Sequence, residues 1–182
     1  MMISIFTNPA SRSIPDARAY TAAVLNLLGK QDPMHVLRET PAVLRSALVG
    51  LSGTQLAQPE AAGKWSIRQV LQHLADSELV WAYRLRLVLA QDRPPLTGYD
   101  QDAWAHRLHY DEADVATAVD EFGALRRANL RLLARASPDD LARVGVHAER
   151  GEESVGHMVR LYAGHDLLHL AQVARVREAV TA

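Results

Sequence analysis

Trp65-Ser66-Ile67-Arg68-Gln69-Val70-Leu71-Gln72-His73-Leu74 opens the stretch that decides the fold. Ser66 and Gln69 form a capping box, in which each side chain satisfies an otherwise orphaned backbone N–H at a helix start. Trp65 and Val70 stand at the two positions of a hydrophobic staple. Beyond the cap, Ile67, Val70, Leu71, Leu74, Trp81 and Leu85 recur at helical spacing, predicting a long helix to about Gln91, ahead of Pro94-Pro95.

Working outward, Asp16 to Gly29 reads as a short helix stopped by Gly29. Asp32-Pro33 starts another, and Thr40-Pro41 repeats the same start signal, so a kink or break is expected before Gly50. The loop from Asp92 to Tyr110 carries Gly98-Tyr99-Asp100 and Trp104, turn residues and aromatics that suit a packed surface loop. A third long helix is expected from near Asp111 to Ser137-Pro138, with Leu125, Leu132 and Leu133 on its apolar side. One more short turn starts at Ser137 to Asp140, and a last long helix runs from near Ser154 almost to the C-terminus. Few strand-like alternations occur. The pattern is all-α: a four-helix bundle with an extra short N-terminal helix. Residues 16–182 form one expected domain behind a flexible N-terminal segment, 1–15.

Composition narrows the function. The chain has 182 residues, 48 % hydrophobic and 23 % charged, with a formal net charge of −1. No whole-molecule field draws it to nucleic acid or an anionic membrane. It has no cysteine, which excludes disulfides, thiolate ligands and a cysteine nucleophile. No apolar stretch approaches the ~20 residues needed to span a bilayer. Met1 to Pro15 lacks the basic start and apolar core of a signal peptide, and a cytoplasmic location is expected.

Chemistry concentrates on the last helix. Its inward stripe is Val155, Met158, Tyr162, His165, His169, Val173 and Val176, so two histidines occupy positions that call for apolar side chains. Residues four apart lie one turn along and about 40° around a helix, so both imidazoles can converge on one point. Gly164 interrupts the same helix at a cost of about 1 kcal/mol against alanine; close approach of a neighbouring backbone or ligand accounts for it. His73 lies beside the apolar stripe of the second long helix, placed to face the pair across the core. Three imidazoles leave one or more coordination positions open, the arrangement of a catalytic site.

The weaker candidates each have a plainer alternative. The Tyr162 hydroxyl can reach a ligand or substrate, or Tyr162 is an ordinary core tyrosine. Asp76 can orient a ligand imidazole, or is a solvated helix residue. His147 can line the pocket mouth. Glu78 lies about 140° around the helix from His73, which suits structural hydrogen bonding better than ligation. His157, His35, His106 and His109 have no partner pattern. Arg127, Arg131 and Arg135, with Arg126 beside them, read as a solvated basic face. The segment His165-Asp166-Leu167-Leu168-His169 is not the HExxH of a zincin protease. No Glu-x-x-His of a ferritin-like di-iron site occurs, nor a P-loop, Rossmann fingerprint or GxSxG.

Three motifs carry a resemblance: Gly63-Lys64-Trp65-Ser66 leading into His73-Leu74-Ala75-Asp76-Ser77-Glu78; Pro94-Pro95-Leu96-Thr97-Gly98-Tyr99-Asp100-Gln101-Asp102-Ala103-Trp104; and His147-Ala148-Glu149-Arg150-Gly151-Glu152-Glu153-Ser154 ahead of Gly164-His165-Asp166-Leu167-Leu168-His169-Leu170. In this order, from about Tyr20 to Val180, the chain resembles the DinB / YfiT-like family, in its DinB_2 branch. The resemblance implies an up-down-down-up bundle, often a homodimer. It also implies a metal site, usually zinc or nickel, which carries over onto His73, His165 and His169. Family members resemble S-transferases that use a low-molecular-weight thiol, and others look like hydrolases. The first expectation is therefore a metal-dependent S-transferase acting on an electrophilic small molecule. A metal-dependent hydrolase and a non-enzymatic, metal-stabilised dimeric ligand-binding protein are the alternatives. The family name refers to DNA damage induction, a stress response, and implies no contact with nucleic acid.

Overall fold

The computed structural model describes residues 14–182. The expected flexible segment, 1–15, lies outside the described residues except at its end, where helix α1 (Ile14–Leu28) begins. Then follow α2 (Pro33–Leu48), α3 (Gly53–Ala57), α4 (Ile67–Ala90), strand β1 (Pro95–Leu96), α5 (Gln101–Arg107), α6 (Val115–Leu133), α7 (Pro138–Ala142), β2 (Val144–His147), β3 (Gly151–Ser154) and α8 (Val155–Thr181).

Four helices, α2, α4, α6 and α8, make the bundle, and long-range contacts fix their directions. Arg68 reaches the Asp111 carbonyl and Arg86 reaches Asn129, so α4 and α6 run parallel. Arg177 reaches the Ala47 carbonyl near the ends of α8 and α2, while Leu37, one turn into α2, and Asp166, near the middle of α8, share Arg126 as a partner, so these also run parallel. Arg45 pairs with Asp120 across α2 and α6, and Trp81 stacks on Tyr162 across α4 and α8; both pairs are antiparallel. The order is up-down-down-up, with α1 packed outside α8.

The α4 start matches expectation: Ser66 Oγ accepts from Gln69 N, and Gln69 Oε1 accepts from Ser66 N. Gly164 is explained by α1. A Cβ built there would stand 2.2 Å from the Val24 carbonyl oxygen, so only glycine admits this backbone.

Several expectations need correction. Helix α2 runs through Pro41 without a break. Proline removes the N–H that would bond the Leu37 carbonyl, but Arg126 donates to that oxygen at 2.9 Å, so the orphaned acceptor is satisfied from α6. Helix α6 is shorter than expected. Its start is capped by Asp114, which accepts from Thr117 N at 2.7 Å, because Asp111 is held in a 3-10 turn (Tyr110–Glu112) behind left-handed His109. It ends at Leu133, before Ser137 caps α7. Its buried face is Ala118, Val119, Phe122, Gly123, Arg126, Asn129 and Leu133; Leu125 and Leu132 are only partly buried. Arg127, Arg131 and Arg135 are exposed, as a solvated face requires, whereas Arg126 turns inward. Strands too short to show alternation form a three-stranded sheet, with β1 parallel and β3 antiparallel to β2.

A polar layer divides the core. On one side lie Leu44, Ile67, Val70, Leu74, Phe122 and Val173; on the other, Leu37, Trp81, Leu85, Val155, Met158 and Tyr162. Between them Arg126 bridges Glu78 (Nε–Oε1 3.1 Å, Nη2–Oε2 2.9 Å) and Asp166 (Nη1–Oδ2 2.6 Å, Nη2–Oδ1 3.0 Å). Asn129 also donates to Glu78. Buried charges are tolerated only when paired in this way. The layer ties α2, α4, α6 and α8 together beside His165.

Candidate metal centre

Helix α4 supplies His73, and α8 supplies His165 and His169 one turn apart. His73 and His169 are buried and His165 is half-buried. His73 Nε2 lies 3.2 Å from His165 Nε2, which lies 3.1 Å from His169 Nε2. Three nitrogens on a tetrahedral metal at ~2.0–2.1 Å stand about 3.3 Å apart. Two edges already match. All three ligand atoms lie within 4.8 Å of one another, so seating an ion draws in the remaining edge by about 1.5 Å at most.

Protonation makes this geometry informative. Burial holds His73 and His165 well below the usual imidazole pKa, and neighbouring histidines add to the effect. Burial also lowers His169, to about 4, against the opposing pull of Gln172 and Asp166. The rings are therefore neutral near pH 7. His169 Nδ1 pairs with Gln172 Oε1 at 2.8 Å, which places its only proton there and leaves Nε2 a bare acceptor. Nε2 of His165 can supply one proton to one of its two ring neighbours, not to both. A cation satisfies three ring nitrogens together, so the donor set fits a divalent metal ion.

Above the histidines is a cavity of about 50 Å³ lined by His73, His165, Tyr162, Tyr99, Arg84 and His147, among others. The short sheet and the Gly98-Tyr99 loop roof it, and Tyr20 of α1 closes one side. Tyr162 stacks on Trp81 with ring centroids 4.6 Å apart, and burial raises its pKa, so its hydroxyl stays protonated. Ser77 Oγ lies 2.7 Å from Tyr99 Oη and 3.3 Å from His73 Nε2. His147 lies at the end of β2 in the cavity wall.

Asp76 sits elsewhere. It accepts from the Tyr110 hydroxyl and from Gln72, and no imidazole reaches it. The orienting role expected for Asp76 falls instead on Gln172, three residues past His169. Tyr20, Ser77, Tyr99, Arg84 and Arg150 also face the cavity without having been singled out from the sequence. Tyr20, Tyr99 and Arg150 come from separate elements, and no spacing rule links them. Ser77 and Arg84, one and three turns after His73 on the same face of α4, are the two that helical spacing could have flagged.

Comparison with known proteins agrees with this architecture. Residues 37–173 match the DinB superfamily. A protein of Oceanobacillus iheyensis, provisionally named a metal-dependent hydrolase, is 31 % identical over 137 residues, covering 75 % of this chain and 79 % of that one. A similarly named protein of Bacillus mycoides is 29 % identical over 142 residues, covering 78 % and 82 %. Among solved structures, YfiT from Bacillus subtilis superposes with a TM-score of 0.76 at 27 % identity, over 80 % of this chain and 84 % of that chain. It is described as a probable metal-dependent hydrolase with an unusual four-helix bundle topology.

Proposed function

The chain belongs to the DinB superfamily, and from that premise we propose that it is a metal-dependent hydrolase with one divalent ion held by His73, His165 and His169. The observation that carries this reading is the convergence of three neutral imidazole nitrogens, one of which, His169 Nε2, is fixed as an acceptor by Gln172. A dication held by three neutral ligands keeps its full charge and lowers the pKa of a water or thiol beside it. The protein's own groups do the rest. Gln172 fixes the His169 tautomer and ring plane. The Tyr162 hydroxyl, protonated and braced by Trp81, offers a hydrogen bond to a developing oxyanion. Ser77 and Tyr99 hold the cavity wall beside His73.

Hydrolysis is favoured because the relatives bear hydrolase names and because the space beside the histidines is small and lined by several hydrogen-bonding side chains, suited to a water nucleophile. Transfer of a low-molecular-weight thiol is the second reading. A larger groove of about 710 Å³ shares Arg84, Gly98 and Tyr99 with the cavity, which gives room for a co-substrate. The thiol must come from solution, since the chain has no cysteine.

A chelator-stripped sample, reloaded with zinc or nickel, separates these readings. Metal-restored cleavage of esters or amides without thiol supports the hydrolase. Loss of free thiol in the presence of electrophiles, again only with metal, supports the S-transferase. Neither activity in metal-loaded protein points to the non-enzymatic ligand-binding dimer. Turnover that survives complete metal removal contradicts both enzymatic readings.

A further inference from the structure

The cavity beside the histidines carries hydrogen-bonding groups that the protein leaves without partners. Arg84 is 5 % exposed, yet no carboxylate pairs with it among the described residues. It donates to the Thr97 carbonyl, and its Nε is buried with no partner. The other guanidiniums nearby are neutralised: Arg126 by Glu78 and Asp166, and Arg150 by a bidentate pair with Glu153 at 2.5 and 2.9 Å. A buried guanidinium without a counter-ion is costly, and an anionic ligand removes that cost.

His147 adds a second donor. Its Nδ1 accepts from the backbone N–H groups of Glu149 and Arg150, so the proton of the neutral ring sits on Nε2. That nitrogen is buried and unpartnered, on a residue 2 % exposed. Glu149 contributes the opposite feature: its Oε2 is buried with no donor. All three residues line the same cavity as His73 and His165.

We propose that this wall is a recognition subsite for a small carboxylate with an N–H donor beside it, an α-amino or α-amido acid. Arg84 and His147 take the two carboxylate oxygens, and Glu149 Oε2 accepts from the adjacent N–H. A phosphate dianion fits less well, because it brings two negative charges to one uncompensated guanidinium and stands next to Glu149. That the bound acid is the substrate rests on the metal-dependent reading above; the subsite itself does not.

The test uses metal-stripped, full-length protein, so that it stands apart from metal loading. Glycine, N-acetylglycine, N-acetylglycine methyl ester and inorganic phosphate are titrated while the arginine Nε–H resonances are followed by NMR, Arg84 being assigned by its loss in Arg84→Gln. At least one of the two acids is expected to shift the Arg84 signal and to bind at least tenfold tighter than the ester. Arg84→Gln is expected to weaken that binding tenfold or more. A larger loss for glycine than for N-acetylglycine in Glu149→Gln identifies the ammonium form as the preferred ligand; the reverse identifies the amide. The proposal is overturned if neither acid binds, if the ester binds equally well, if phosphate binds tighter than both acids, or if folded Arg84→Gln retains full affinity. Should Arg84→Gln not fold, the acid-against-ester comparison in the unaltered protein still decides. Metal uptake, measured separately, can fail while acid binding persists; that result sinks the metal-dependent reading alone.

Discussion

Replacing Arg126 by methionine should remove most of the stability of the fold. The guanidinium makes two hydrogen bonds to Glu78, two to Asp166 and one to the Leu37 carbonyl, all buried. Breaking a buried ion pair by deleting one partner costs about 3–5 kcal/mol, because the remaining charge is uncompensated. Leaving the Leu37 carbonyl unpaired adds about 1–3 kcal/mol. The sum, roughly 4–8 kcal/mol, is comparable to the whole stability of many domains, about 5–15 kcal/mol. Urea denaturation of metal-free protein at pH 7, followed by far-UV circular dichroism, measures the change. Two further variants isolate the causes. Adding Glu78→Gln and Asp166→Asn to Arg126→Met removes the stranded charges and should recover part of the loss. Adding Pro41→Ala supplies the missing helical N–H to Leu37, and should help Arg126→Met by about 1 kcal/mol more than it helps the unaltered chain. A loss below about 1 kcal/mol for Arg126→Met, or strict additivity with Pro41→Ala, would refute the reasoning.

Other substitutions probe the site's supports. Gly164→Val places a side chain against the Val24 carbonyl, where even a Cβ is 2.2 Å away; α1 must move, destabilising the protein by about 1–3 kcal/mol or more in thermal or urea melts. Gln172→Leu removes the acceptor for His169 Nδ1 and should weaken metal affinity about 10- to 100-fold in a competitive chelator titration, with little change in fold. His147 should titrate near 4 by NMR, because burial, then Arg150 and Arg84, depress its pKa. A base with a depressed folded pKa stabilises the fold fully above its unfolded value. His147 should therefore cost stability as pH falls from about 6.5 towards 4, at no more than ~1.4 kcal/mol per pH unit. Removing it with His147→Gln should flatten that part of the stability profile.

Much of the architecture was legible because local chemistry and long-range packing agreed. The Ser66–Gln69 box, the apolar stripe of α4 and the histidines set into the stripe of α8 are all short-range patterns. Gly164 was readable as a close approach, though not which backbone approaches it. Pro41 misled because the group that replaces its hydrogen bond, Arg126, lies 85 residues further on. Arg126 was misplaced for a related reason. Beside Arg127, Arg131 and Arg135 it looks like a solvated charge, yet Val119, Phe122, Arg126, Asn129 and Leu133 share a helical face, which is the buried one. The loop and hairpin residues that roof the cavity converge through tertiary packing alone, and strands of two to four residues carry too little alternation to be seen.

X-ray absorption of protein purified without chelator, paired with elemental analysis, addresses the three-imidazole site most directly. One equivalent of a divalent transition metal per chain is expected, with three nitrogen scatterers at ~2.0–2.1 Å if the ion is zinc. That signal should vanish in a folded His73→Ala, His165→Ala, His169→Ala triple variant. Metal retained by the triple variant, or a fully folded unaltered protein that takes up none from added zinc or nickel, would contradict it.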